Sequence, residues 1–169
     1  SGRKSFVKEI RTFDGKLDEA FSPQSVTLVL EDDLDISRGD MIVGTDSLPG
    51  HRADISARVC WMEQRPLQAG QKYFLKHGPQ TVQAKVISLD SRINIRTYEP
   101  EPHPAELAMN DIGEIRLRTA KPLVFDGYTT NRLTGSIVLV EPSTNATAAA
   151  GMLRGPEKVY QPEYDDFMI

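Results

Sequence analysis

Apolar side chains in this chain recur at every second position, and turn-forming residues interrupt the pattern about every ten residues. A period of two is the geometry of a strand with one buried face, and regular interruption by Gly, Pro, Asn, Asp and Ser marks a β-barrel or sandwich. From Ala53 to Met62 one face carries Ala53, Ile55, Ala57, Val59 and Trp61, while the other carries Asp54, Ser56, Arg58, Cys60 and Met62. Ile115 and Leu117 alternate in the same way with Glu114, Arg116 and Arg118. The run Ile137, Val138, Leu139 and Val140 is apolar throughout, as expected of a central strand covered on both faces. Strands are expected over 5–10, 25–30, 40–43, 53–62, 71–76, 81–88, 93–97, 112–119, 136–140 and 146–153. The long amphipathic repeats of an α/β protein are absent, so the expected fold class is all-β with two antiparallel barrels.

A polar stretch rich in turn formers, 45–52, separates two groups of strands and is expected to be a linker. Upstream, residues 1–44 offer few strands for a closed barrel, so they are expected to be the later part of one whose opening strands lie outside this sequence. Residues 53–153 have enough strands to close. Residues 154–169 lose the alternation, gain prolines and acids, and read as an extended tail. Within it Tyr160, Tyr164, Phe167 and Ile169 suit packing on a barrel wall or on a neighbouring chain, against the commoner outcome of a mobile terminus.

Several chemistries are disfavoured at this stage. No apolar run approaches the roughly 20 residues of a spanning helix, and the basic start lacks the apolar stretch of a signal peptide, so the chain reads as cytoplasmic. A net charge of −4 disfavours nucleic-acid binding, which needs a basic excess to neutralise phosphates. Cys60 is the only cysteine, which removes an intrachain disulfide and a thiolate metal site and leaves an inert strand thiol. No Gly-x4-Gly-Lys-Ser/Thr loop is present; Gly15-Lys16 is followed by Leu17 and reads as a β-turn. His51, His77 and His103 fall in turn-like contexts and read as surface residues, with no Ser or Cys motif to place beside them, although a spatial triad stays open. The acidic run Glu31-Asp32-Asp33-Leu34-Asp35 lacks the spacing and glycine of a calcium loop and reads as solvated, with Asp35 capping the turn that follows. Catalytic, cofactor-binding and metal-binding residues are therefore all expected to be absent.

Two polar groups stand out. Arg38, in Arg38-Gly39-Asp40, flanks a glycine suited to a turn with positive φ and is placed to bond Asp35 or Asp40 or to meet a partner domain. Asp126, Tyr128, Asn131 and Arg132 crowd one loop before Thr134-Gly135 and the most apolar strand. Such a cluster serves either as a loop brace or as a partner contact carried on a rigid barrel.

The strings themselves resemble a family. The stretches 7–15 and 19–40, then Arg65-Pro66-Leu67, Asn110-Asp111-Ile112-Gly113, Lys121-Pro122-Leu123, Asn131-Arg132-Leu133-Thr134-Gly135 and Ala150-Gly151-Met152, are similar to the carboxy-terminal part of the large, GTPase subunit of bacterial sulfate adenylyltransferase. That subunit belongs to the elongation factor Tu-like GTPases. The resemblance covers about residues 5 to 153. It implies that 1–44 form the later part of a domain II-like barrel and 53–153 a domain III-like barrel. It also implies that GTP and Mg²⁺ bind a GTPase domain outside this sequence, so no cofactor is expected here. The implied partners are that GTPase domain and a small catalytic subunit, with no membrane. The implied role is a non-catalytic scaffold in the joining of ATP and sulfate to give adenylylsulfate and pyrophosphate. Two rivals remain at this point: the tRNA-binding barrels of a translation elongation factor, and a free-standing barrel enzyme, which would need a deep pocket with convergent polar groups.

Overall fold

The computed structural model describes residues 3–46 and 48–155, so the expected tail lies, from residue 156 onward, outside the described residues. Among the described residues every regular element is a strand, and none is a helix long and apolar enough to cross a membrane. They form two compact units, 3–46 and 48–155.

The first unit is a three-stranded antiparallel sheet with β1 (Val7–Thr12) in the middle, flanked by β2 (Gly15–Leu17) and β3 (Thr27–Leu30). Ile10 lies opposite Leu17 on one side and Leu28 on the other. None of its described side chains is fully buried. Gly15 and Lys16, read from the sequence as a turn, instead open β2, because Thr12 and Gly15 pair to close a hairpin around Phe13 and Asp14. The strand expected over 40–43 does not form. Its apolar run Met41-Ile42-Val43 finds no neighbour to pair with among the described residues, and an extended segment without a ladder leaves its backbone groups to water.

The second unit contains β4 (Gly50–Trp61), β5 (Lys72–His77), β6 (Gln80–Ile93), β7 (Pro100–Pro102), β8 (Ile112–Phe125), β9 (Ser136–Val140) and β10 (Thr147–Leu153). The strands run β5-β9-β10-β4-β8-β6, and β5 also pairs with β6, which closes an antiparallel barrel of six strands; β7 extends the far end of β6. Ile55, Ala57, Val59 and Trp61 of β4 point inward with Ile115, Leu117, Leu123 and Phe125 of β8, and all are buried. The strand β9 lies between β5 and β10, but in a closed ring no strand is central, and Val138 is only half-buried, so the apolar run is not covered fully on both faces as the sequence implies. A closed ring must bend its strands, and bulges supply the bend. The largest sets residues 119–122 of β8 against Ala53 alone, since Arg52 pairs with Leu123 and Asp54 with Arg118. Pro122 sits in this bulge, where its missing N–H leaves no ladder bond unmade. Thr119 Oγ1 lies 2.7 Å from the Lys121 carbonyl and 3.1 Å from the Ala53 carbonyl and ties the loop down.

Three boundaries differ from the sequence reading for stated reasons. The strand β4 starts at Gly50, inside the stretch read as a linker, because Gly50, His51 and Arg52 pair with Phe125, Val124 and Leu123. The strand β8 resumes after its bulge and runs on to Phe125. No strand forms over 94–97: β6 ends at Ile93, and the Asn94 side chain accepts the N–H groups of Arg96 (2.9 Å) and Thr97 (3.3 Å), a local turn that competes with the ladder. His77 is also corrected. It is the last residue of β5 and only 6% exposed, whereas His51 and His103 are exposed as expected.

Candidate functional site

The loop after β8 brings together the polar residues singled out from the sequence. Asp126 Oδ2 accepts the Thr134 hydroxyl at 2.6 Å. The Thr134 carbonyl lies 2.7 Å from His77 Nε2 and can only accept, so Nε2 is the donor in this bond. Asn131 Oδ1 accepts the Leu133 N–H at 3.1 Å, and the Arg132 carbonyl accepts the Ser136 hydroxyl at 2.5 Å. The Tyr128 N–H donates to the Leu153 carbonyl at 3.0 Å, and the Leu153 N–H donates to the Gly135 carbonyl at 2.7 Å, which fastens the loop to the end of β10. Asp126 and Asn131 thus spend their side chains on the loop itself. Tyr128 takes part through its backbone, and Arg132 holds its side chain exposed beside Leu133, which is 82% exposed.

Arg38 lies in the first unit, on the turn 37–40. Gly39 has φ +106°, the left-handed conformation its sequence context implies. The turn is closed by Asp40, whose Oδ2 accepts the Ser37 N–H at 2.8 Å while its own N–H donates to the Ser37 carbonyl at 3.0 Å. The cap is Asp40 and not Asp35, and among the described residues Arg38 forms no ion pair. Gly15 and Lys16 do not fit a nucleotide phosphate. They belong to the hairpin edge, and the Lys16 ammonium pairs with Glu9 at 2.6 Å.

Sequence reasoning missed a second arrangement, on the outer wall of the barrel. Arg58 of β4 faces Glu114 of β8 and Met152 of β10 across the ladder, and Arg154 follows β10. Arg58 Nη2 lies 2.7 Å from Glu114 Oε1, and Arg154 Nε donates to Glu114 Oε2 at 3.1 Å, so two guanidinium groups converge on one carboxylate. Arg58, Glu114 and Met152 line, together with Ile93, Tyr98 and Ile112, an open groove of about 610 Å³. Arg58 and Glu114 are legible as outward positions, but their meeting depends on strand register, which one sequence does not supply.

The Arg154 guanidinium, seconded by Arg58, holds the Glu114 carboxyl below its ordinary range against the opposing effect of burial. A depressed folded value means that the contribution is complete above the unfolded value, about pH 4.3, and is lost as pH falls through the lower folded one. The expected result is that Glu114→Gln removes up to about 1 kcal/mol near neutrality and less at low pH, where the native carboxyl is protonated too. Denaturant midpoints for both chains between pH 7 and pH 2 check this, and parallel curves would refute it.

Residues 54–154 match the GTP-eEF1A C-terminal domain-like family. The bifunctional enzyme CysN/CysC of Rhodopirellula baltica is 44% identical over 168 residues, 98% of this chain and 26% of that protein. Sulfate adenylyltransferase subunit 1 of Bacteroides fragilis is 41% identical over 153 residues, 90% of this chain and 32% of that protein. The subunit of the same name from Shewanella woodyi is 39% identical over 172 residues, 100% of this chain and 36% of that protein. The chain therefore spans about a third or less of the length of these relatives. Among solved structures, sup35 complexed with GDP matches with a TM-score of 0.75 at 14% identity, over 89% of this chain and 37% of that one, a likeness of fold alone.

Proposed function

Because this chain belongs to the GTP-eEF1A C-terminal domain-like family and is similar along nearly its whole length to sulfate adenylyltransferase subunit 1, we propose that it is the barrel portion of such a subunit and acts as a non-catalytic scaffold. In this reading the complete protein takes part in converting ATP and sulfate to adenylylsulfate and pyrophosphate at the expense of GTP. GTP and Mg²⁺ bind a GTPase domain outside residues 1–169, and adenylyl transfer takes place on a separate small subunit. The observation that carries the reading is identity of 37–44% with these relatives over 90% or more of the chain. The closed barrel supports it physically. A platform that relays the state of one site to another must hold its surface loops in fixed positions, and the loops joining the six barrel strands of the second unit, the one that carries Arg132 among them, are anchored at both ends in a sealed ring.

Within that reading the exposed side chains of Arg38 and Arg132 are contact residues for the GTPase domain or the small subunit. Asp126, Tyr128 and Asn131 hold the loop that presents Arg132. The comparisons do not favour tRNA-binding barrels of an elongation factor. Titrating the chain into purified small subunit in a calorimeter tests the proposal. Saturable heat that Arg132→Glu weakens is the expected result, whereas no heat at high micromolar concentration would overturn it.

A further inference from the structure

The outward face of the barrel wall made by β10, β4, β8 and β6 carries more cations than carboxylates, although the chain as a whole has a net charge of −4. Register sets its side chains in rows: Asp54 beside Arg118 and Lys85, Ser56 beside Arg116 and Ser88, and Met152 beside Arg58 and Glu114. Glu114 serves two guanidinium groups, those of Arg58 and Arg154, while Arg116 pairs with Asp90 at 2.8 Å and Arg118 with Asp54 at 2.6 Å. Lys85 is exposed opposite Arg118 and has no ion-pair partner among the described residues, so five cations stand against three carboxylates. The guanidinium groups also stand further out. The Arg116 and Arg154 side chains are 62% and 49% exposed, and those of their partners Asp90 and Glu114 are 29% and 22% exposed.

Apolar side chains lie between these charges. Ile112, Met152 and Ile87 are 36%, 39% and 43% exposed, and Tyr98, with its φ at +61°, stands at the edge. They border two open hollows, the groove of about 610 Å³ at Arg58, Ile112 and Met152 and a second of about 290 Å³ at Ser56, Ile87, Arg116 and Arg118. The first lies along 112–114 of β8 and the second along 116–118, which puts their centres about 13 Å apart at strand rise. Exposed Arg, Tyr and Met around apolar hollows are the composition of a protein interface rather than of a solvated strand face.

Charge selects the occupant. A second copy of the chain, related by a two-fold axis, would set this positive wall against itself. A polynucleotide would bring its phosphates onto three carboxylates and leave the hollows unfilled. A polypeptide with acids between large apolar side chains meets both features of the wall. When extended it presents residues i, i+2 and i+4 to one side, and i to i+4 spans the distance between the hollows.

We propose that this wall binds an extended acidic segment of a partner protein, with apolar side chains at i and i+4 in the two hollows, a carboxylate at i+2 on Arg58 and Arg116, and a following acid near Lys85. The wall does not include Arg132, and this binding does not depend on the role assigned to that loop or to the whole protein.

The test titrates the full chain with the peptide acetyl-Glu-Phe-Glu-Asp-Glu-Ile-Glu-Glu-amide and follows the methyl signals of Ile87, Ile112 and Met152. Saturable shifts confined to these methyl groups and their neighbours are expected by about 1 mM peptide. Lys85→Glu and Arg116→Ala should each weaken binding several-fold, and Lys85→Glu breaks no ion pair, so it separates lost binding from lost folding. Replacing the Phe and Ile of the peptide by Ser, or its acids by Lys, should abolish the shifts. No shift at about 1 mM peptide, shifts spread evenly over the barrel, equal shifts with the Ser peptide, or equal shifts with a single-stranded oligonucleotide of the same charge would each overturn the proposal. Shifts of these methyl groups on dilution of the chain alone would overturn it too, because they mark a second copy on the wall.

Discussion

Replacing Trp61 with alanine is expected to cost the second unit about 3–5 kcal/mol, the range for emptying a large buried aromatic site. Trp61 ends β4 facing the barrel interior and is fully buried. Its ring meets Tyr73 edge-on, with centroids 5.5 Å apart and planes at 76°, and its indole N–H donates to the Arg65 carbonyl at 2.8 Å. Its backbone closes the base of β8 as well: the Trp61 N–H donates to the Asp111 carbonyl at 2.9 Å, and the Asn110 N–H donates to the Trp61 carbonyl at 2.8 Å. Alanine keeps these backbone bonds but opens a cavity and leaves the Arg65 carbonyl without its donor. Trp61→Phe should fall between the two chains, since it retains most of the volume and loses only the indole N–H. Trp61 is the only tryptophan, so unfolding must be followed by circular dichroism, and a loss under about 1 kcal/mol for alanine would show that the barrel collapses around the gap.

Gly135→Ala should destabilise the same unit by about 3 kcal/mol, at the upper end of ordinary overpacking. A methyl group at this position would stand 2.5 Å from the Tyr128 nitrogen and 2.8 Å from the Asn131 carbonyl oxygen. Both are backbone atoms, so no rotamer change relieves the clash, and the loop after β8 must lift. Lifting it strains the bonds from Leu153 to Gly135 and from Tyr128 to Leu153 that fasten the loop to β10. Ser136→Ala is the control: it removes the hydroxyl bond to the Arg132 carbonyl at a cost of about 1 kcal/mol without moving the backbone. Amide exchange at Tyr128 and Leu153 should accelerate strongly in Gly135→Ala and little in Ser136→Ala; equal protection would mean that the loop absorbs the methyl group.

Much of the barrel is legible because each inward strand advertises its face. Ile55, Ala57, Val59 and Trp61 alternate in the sequence and are buried in the structure, and Ile137, Leu139 and Val140 of the apolar run of β9 are buried as well. The misses share a physical cause. Residues 40–43 carry the short apolar run Met41-Ile42-Val43 that suits a strand, but pairing depends on a partner that local sequence does not specify. Residues 94–97 contain Ile95 between polar residues, yet the Asn94 side chain captures two backbone N–H groups first. The sequence pattern ends the strand at 119, and only the bulge of residues 119–122 against Ala53 shows that β8 continues to Phe125. His77 looked like a turn residue beside Gly78, while its burial follows from the distant Thr134 carbonyl. The loop residues Asp126 and Asn131 were visible as a cluster, but only their partners show that they hold the loop. The groove at Arg58 and Glu114 is wholly a product of register.

The pairing of β5 with both β6 and β9 has one more consequence. A sheet that joins end to end has no outermost plank to shed, so thermal opening cannot begin by peeling and must rupture a seam, and the one between β5 and β9 joins lengths of chain far apart in sequence. The penalty for bringing such distant stretches together falls on the way in and the way out, which favours a slow, all-or-none transition. Damage at any stave is then felt around the whole circumference.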